Sequence, residues 1–208
     1  LYVNYSGSFS DPKKNGDEKV SQFIVDLSID PAPAPDWAPF AILPRDVRAP
    51  APRPIETMGG VADRLRTAAF AELQAFHAFN WAANQFADAP EGLKTAWKAL
   101  AIEEQKHLGW LLNRMSELHL DVQEFAVSDW LWVSLTRCQS AKEFAVFMAS
   151  SEERGRKAGV RFFQTLLKTD PITARVFGKI AEEEVEHIRL AEKFYPEETK
   201  TQVQTNSL

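Results

Sequence analysis

The spacing of apolar residues changes character twice along this chain. Leu1, Val3 and Tyr5 and, further on, Phe23, Val25, Leu27 and Ile29 alternate with polar neighbours on either side of Asn15-Gly16. Alternation around Asn-Gly is a β-hairpin pattern, so Leu1 to Asp30 is expected to pair as one, with a disordered or partner-bound arm as the alternative. Pro31 to Pro54 then carries eight prolines. A stretch so poor in backbone donors cannot be helical and is expected to run extended. Trp37, Phe40, Ile42 and Leu43 within it are expected to pin it to the body of the protein, because a free linker has little use for them.

From Val61 the period becomes helical, with Leu65, Ala69, Glu72, Phe76, Phe79 and Ala83 on one face. Asp88-Ala89-Pro90-Glu91 reads as a cap, an early-helix proline and a first-turn acid, which closes one helix and opens the next. The second helix runs to about Leu118, with Trp97, Leu100, Glu104, His107, Leu111 and Met115 inward. Ser140-Ala141-Lys142-Glu143 is a capping box for a third helix that carries Phe144, Met148, Glu152, Gly159 and Leu166. Thr169-Asp170-Pro171 makes the last turn, and a fourth helix presents Phe177, Ile180, Glu184, His187 and Ala191 before ending by Pro196.

Leu120 to Gln139 separates the second and third helices by about 20 residues, against about 2 to 8 for an ordinary bundle turn. Asp129-Trp130-Leu131-Trp132 is a candidate short helix inside it. The expected fold is therefore all-α. A four-helix bundle at 57–196, with a long crossover from helix 2 to helix 3, follows a proline-rich, extended or hairpin-like arm at 1–56 and precedes a polar tail at 197–208.

With 208 residues, 45% of them apolar, and fourteen Phe and six Trp, the chain can bury one sizeable core. A net charge of -5 supplies no broad basic surface, so nucleic acid is unsupported as a partner. The single cysteine, Cys138, forbids an intrachain disulfide, a four-cysteine metal knuckle and a Cys-x-x-Cys redox pair. Any electrons the chemistry needs must come from an external donor. No apolar run reaches spanning length and Leu1 to Ser10 has no charged start before an apolar core, so no membrane partner is expected and a cytoplasmic location is.

Candidate chemistry lies in a repeat. Glu104 and His107 stand three apart, as do Glu184 and His187, and residues at i and i+3 share a helix face. Glu72 and Glu152 each precede one of these pairs by the same 32 positions. Glu72 and Glu104 are centred on position 88, beside the first turn, and Glu152 and Glu184 on position 168, beside the last. Residues equidistant from the turn of an antiparallel hairpin lie at one height, here about 24 Å from the turn, so all four glutamates can meet in one layer.

One Glu-x-x-His on a helix is weak evidence, a chance match arising for roughly one histidine in ten. Two such pairs, each with a matched glutamate upstream, are the ligand set of a carboxylate-bridged pair of iron or manganese ions in a helical bundle. Four buried carboxylates repel one another strongly, and two divalent cations cancel their charge and leave both imidazoles as neutral donors. Glu72, Glu104, His107, Glu152, Glu184 and His187 are thus the candidate ligands. Glu103, Glu153, Glu182, Glu183 and Glu186 are expected on the solvated face or behind the ligands, with Glu153 the main rival to Glu152. His77, about 140° round the helix from Glu72, is expected to pack or to support, and His119 to sit at the surface end of helix 2. Gly155 and Gly159 are expected to let helix 3 pack closely, with substrate access as the alternative.

The segment Val61 to Tyr195 resembles the ferritin-like di-iron carboxylate superfamily. Within it, Ala71-Glu72-Leu73-Gln74-Ala75, Glu103-Glu104-Gln105-Lys106-His107, Phe125-Ala126-Val127-Ser128-Asp129-Trp130, Ser151-Glu152-Glu153-Arg154-Gly155 and Glu184-Val185-Glu186-His187 are similar to a bacterial ferritin-like family of undefined function. The resemblance implies Glu72 and Glu152 as terminal ligands, Glu104 and Glu184 as bridges, and His107 and His187 as one nitrogen donor per metal. The chain departs from that family at His77 and Lys157, where acids are common.

The function expected from these residues is a non-haem dinuclear oxidoreductase, holding two Fe ions or Mn in their place. It would activate dioxygen or peroxide against a small apolar substrate, and a homodimer is compatible with it. Iron handling, as ferroxidase, peroxide scavenger or store, is the alternative within metal chemistry. A metal-stabilised helical interaction module is the alternative outside it.

Overall fold

The computed structural model describes residues 26–196. Most of the expected hairpin, and the whole polar tail, lie outside the described residues. Among the described residues there are five helices: α1 (Met58–Gln85), α2 (Glu91–Glu117), α3 (Trp130–Leu135), α4 (Ala141–Leu166) and α5 (Pro171–Phe194). The long ones, α1, α2, α4 and α5, form the bundle, with α1 packed along α2 and α4 along α5. None is long and apolar enough to cross a membrane.

Two polar contacts fix how the hairpins stand against each other. Asp88, in the α1–α2 turn, accepts from the backbone N–H of Ala141 at the start of α4, at 3.1 and 3.3 Å. At the opposite end, Arg114 near the end of α2 donates to Asp170 (2.9 Å) and Thr173 (2.8 Å) at the α4–α5 turn. The two turns therefore lie at opposite ends of the bundle, and α2 and α4 run parallel. The crossover holding α3 returns the chain over the length of the bundle, as two successive parallel helices require.

Helix starts follow local chemistry, with two corrections. Ser140 accepts from Glu143 N–H (3.1 Å) and Asp170 from Thr173 N–H (3.1 Å), as the capping patterns predict. Asp88 does not cap α2: Pro90 occupies that position, and the Asp88 carboxylate is spent across the bundle on α4. The first helix begins three residues before Val61, because Thr57 accepts from Gly60 N–H (3.0 Å) and carries the Gly59-Gly60 pair into its first turn. A Cβ at Gly60 would overlap the Pro54 carbonyl, so glycine is retained there for space. Of the glycines on α4, Gly159 is buried with Ala181 Cβ and Phe177 O both 3.3 Å from where a Cβ would stand, whereas Gly155 faces open space. The close-packing role belongs to Gly159 alone.

The α2 terminus uses a histidine where glycine is usual. His119 adopts φ 54° while its N–H donates to Ser116 O (3.0 Å) and that of Leu120 reaches Met115 O (2.9 Å). This is the helix-ending reversal that glycine enters without penalty. His119 is exposed, so His119→Gly is expected to raise stability by about 0.5–1 kcal/mol, read from urea unfolding midpoints at fixed pH.

Two residues of the proline-rich segment belong to the core. Trp37 and Phe40 are 7% and 6% exposed. Trp37 meets Phe70, His77 and Trp132 edge-on, with ring centroids 5.3, 5.6 and 5.8 Å away. Backbone pairing ties the same segment to the crossover, Leu43 N–H donating to Val127 O (2.8 Å) and Val127 N–H to Ala41 O (2.9 Å). Arg53 clamps its end to Asp63 (2.6 Å) and Glu124 (2.9 Å), and the buried Arg66 joins the same acids. Trp37→Ala should cost about 3 kcal/mol or more of unfolding free energy, since a large aromatic is lost from a packed site. A change within 0.5 kcal/mol would mean that the segment merely lies on the bundle.

Candidate metal centre

All four bundle helices contribute to one polar spot in the core: Glu72 from α1, Glu104 and His107 from α2, Glu152 from α4, and Glu184 and His187 from α5. Helical spacing explains the delivery, since each Glu-x-x-His pair puts carboxylate and imidazole one above the other on the inner stripe. Glu104 and His107 are fully buried, and Glu184 and His187 each 3% exposed. One turn away on the same helices the neighbours are apolar: Ala69, Ala101, Met148 and Ile180 are all buried.

The six side chains fall into two overlapping groups. Glu72, Glu104, His107 and Glu184 offer ligand atoms within 4.8 Å of one another, and so do Glu104, Glu152, Glu184 and His187. Glu104 and Glu184 are common to both. Glu104 places Oε2 3.8 Å from His107 Nδ1 and Oε1 2.8 Å from His187 Nδ1. Glu184 divides itself the same way, with Oε1 3.4 Å from His107 Nδ1 and Oε2 3.4 Å from His187 Nδ1. Glu72 belongs to the first group, with Oε2 3.7 Å from His107 Nδ1, and Glu152 to the second. The two imidazoles face each other nearly parallel, with centroids 5.7 Å apart.

These atoms are close without being bonded to one another. Both carboxylate oxygens of Glu104 and of Glu184, and Nδ1 of His107 and of His187, are buried with no aligned hydrogen-bond partner. Six orphaned polar atoms in one place are costly for a fold unless something else satisfies them. Carboxylate and imidazole donors of this number suit two divalent cations of the iron or manganese type. The residues present fit such a pair.

A family described as "Protein of unknown function (DUF455)" matches residues 13–206. The chain belongs to this family. No curated protein matches this DUF455 chain significantly. Two solved structures share its fold. One is a dodecameric thioferritin, the bacterioferritin-related protein of Bacteroides fragilis, 18% identical over 69% of this chain and 89% of that one, with a TM-score of 0.55. The other is the bacterioferritin of Desulfovibrio desulfuricans, whose structure describes a diiron site in different catalytic states; it is 24% identical over 68% of this chain and 81% of that one, with a TM-score of 0.54. The bundle of this DUF455 member is therefore ferritin-like.

Charge inside the cluster is shared unevenly. Burial, reinforced by Glu104, pushes Glu72 well above the ordinary carboxylate range, and burial with the Glu184 charge does the same to Glu152. Burial alone would lower His107, yet Glu104, Glu184 and Glu72 raise it to about 12, and Glu104 and Glu184 raise His187 to about 11 against the same penalty. Burial would also raise Glu104 and Glu184, but the nearness of both imidazoles, with Glu72 beside Glu104 and Glu152 beside Glu184, holds the two below their usual range. Free of metal, this arrangement favours charged imidazoles and ionised Glu104 and Glu184, and shifts Glu72 and Glu152 toward their protonated forms.

Two acids placed only loosely from sequence have a definite position in this DUF455 protein. Glu183 Oε2 lies 2.9 Å from His107 Nε2, and Glu103 Oε2 3.0 Å from His187 Nε2. Each carboxylate reaches across from α2 to α5 or back. The signal was the repeated doublet, Glu103-Glu104 and Glu183-Glu184, at the same offset before each histidine. Glu153, the rival to Glu152, turns instead to Arg156 (2.6 Å) and Lys157 (3.3 Å). His77 packs edge-on against Trp37 and Phe76, and burial lowers its pKa.

Proposed function

We propose that this chain is a non-haem dinuclear iron or manganese carboxylate protein that activates dioxygen or peroxide to oxidise a small substrate. The observation that carries the reading is the cluster of orphaned atoms in two groups that share Glu104 and Glu184. In this assignment Glu104 and Glu184 would serve both ions, Glu72 and His107 would complete the ligands of one, and Glu152 and His187 those of the other. Two redox-active ions held there would couple reduction of dioxygen or peroxide to oxidation of a substrate.

The protein's own residues set the conditions for that chemistry. Once Nδ1 gives up its proton for metal, Nε2–H of His107 would donate to Glu183 and that of His187 to Glu103, which would leave each ring in the tautomer whose Nδ1 lone pair points at the cluster. The apolar turns above and below keep water away and strengthen every electrostatic interaction between. Cys138 is the chain's single cysteine, so reducing equivalents come from outside.

Iron handling is the second reading, favoured by the ferritin-like relatives, one of them a dodecamer by its description. Storage needs a closed cage of copies. The chain loaded anaerobically with Fe(II) is expected to hold two ions per chain. Its oxygen uptake is expected to continue beyond one equivalent of iron only when an electron donor is supplied, and its size to be that of a small oligomer. Uptake that stops once the iron is oxidised, in a particle of a dozen or more copies, would give the function to iron handling. Failure to retain any metal would leave an interaction module.

A further inference from the structure

The two halves of the centre are built alike but are not charged alike. Glu183, which faces His107, is itself met by two lysines: Oε2 lies 2.7 Å from Lys106 Nζ and Oε1 3.4 Å from Lys179 Nζ. Lys106 is held in place over the Trp110 ring, 5.2 Å from its centroid. Glu103, which faces His187, has among the described residues no lysine or arginine within 4.0 Å. A carboxylate behind an imidazole makes the ring a stronger donor by drawing on its N–H. A lysine on that carboxylate opposes the effect, and its own charge repels an incoming cation.

We propose that Lys106 and Lys179, acting through Glu183, weaken His107 as a metal donor, so that the two positions fill in order. The group Glu104, Glu152, Glu184 and His187 fills first, and the group Glu72, Glu104, His107 and Glu184 second. Lys106 and Lys179 touch neither ion in this assignment and are positioning residues. The inference rests on the dinuclear reading above and gives that symmetric ligand set a direction. A protein whose positions fill unequally passes through a one-metal state, in which its site offers one ion and one open set of donors.

The test is a titration of the metal-free full chain with Co(II), followed by calorimetry and by visible absorption. Two steps of unequal affinity are expected. Glu152→Ala should remove the tighter step and Glu72→Ala the weaker one. The double variant Lys106→Met/Lys179→Met should tighten the weaker step several-fold, up to about tenfold, and leave the tighter one in place. Glu103→Gln should weaken the tighter step by about tenfold or more. Both lysines are about half exposed (42% and 51%), so raising salt from about 0.05 to 0.5 M should narrow the gap in the parent chain and not in the double variant. A purely structural role for the lysines would not produce that salt dependence. Two equal steps, a weaker step that ignores the lysine replacements, or Glu152→Ala removing the weaker step would each overturn the proposal. No uptake of Co(II) at all would overturn the dinuclear reading, and this inference with it.

Discussion

Glu104→Ala is expected to abolish binding of both metal ions, whereas Glu72→Ala and Glu152→Ala should each leave one. The difference follows from where the oxygens lie. Glu104 sends one oxygen toward each imidazole, 3.8 Å from His107 Nδ1 and 2.8 Å from His187 Nδ1, so its loss strips a ligand from both positions. Glu72 and Glu152 each take part in one group. Removing even a group that only supports a ligand costs about 10–100-fold in affinity, and a shared ligand should cost more than the upper figure at each position. Glu104→Gln keeps the shape without the charge and should give the same loss, with an unchanged far-ultraviolet circular dichroism spectrum as the check on folding. Metal per chain after gel filtration is the measurement. Two ions retained by Glu104→Ala would remove Glu104 from the ligand set, and with it the symmetry argument.

Much of this arrangement is legible in the sequence because helix geometry is nearly rigid. Once Glu104-x-x-His107 and Glu184-x-x-His187 lie on helices, their spacing decides which atoms share a face, and turn-centred glutamates must lie at one level. Ser140 and Asp170 cap their helices because a cap is a contact three residues long. Contacts between distant parts of the chain were not legible. Asp88 has every local credential for a cap, yet its partner is the Ala141 N–H, 53 residues on, which no local pattern encodes. The helical period is legible only from Val61, and the glycine at 60 is explained by Pro54 folded against it, which no local pattern shows. Trp37 and Phe40 mark the proline-rich segment as anchored, but that Trp37 would reach Trp132 depends on the route of the crossover. Glu103 and Glu183 needed α2 and α5 brought side by side before either could meet an imidazole.

The metal-free protein should lose stability as pH rises, and metal should abolish that dependence. His107 and His187, raised to about 12 and about 11, hold protons that the unfolded chain releases near 6.5. Glu72 and Glu152, raised well above their ordinary 4.5, do the same from that pH upward. A group with a raised folded pKa contributes its full stabilisation below its unfolded pKa and forfeits it as pH climbs toward the folded one. The folded state therefore binds more protons than the unfolded state from about pH 4.5, and more still above 6.5, and the slope of stability against pH is negative. Each retained proton removes roughly 1.4 kcal/mol per pH unit, so two alone would remove about 5 kcal/mol between pH 7 and pH 9. The opposing groups, Glu104 and Glu184, are depressed and act only at acid pH, below about 4.5. Two divalent ions displace the protons that the cluster holds, so the loaded cluster has nothing left to titrate across this range. Urea unfolding of the metal-free chain at pH 6, 7, 8 and 9 should show the midpoint falling steadily, with the loaded chain level. The same exchange should appear in weakly buffered solution as release of at least two protons per pair of ions bound at pH 7, one from each imidazole. A flat metal-free profile, or release of fewer than two protons, would mean that the buried carboxylates and imidazoles do not hold their protons in common.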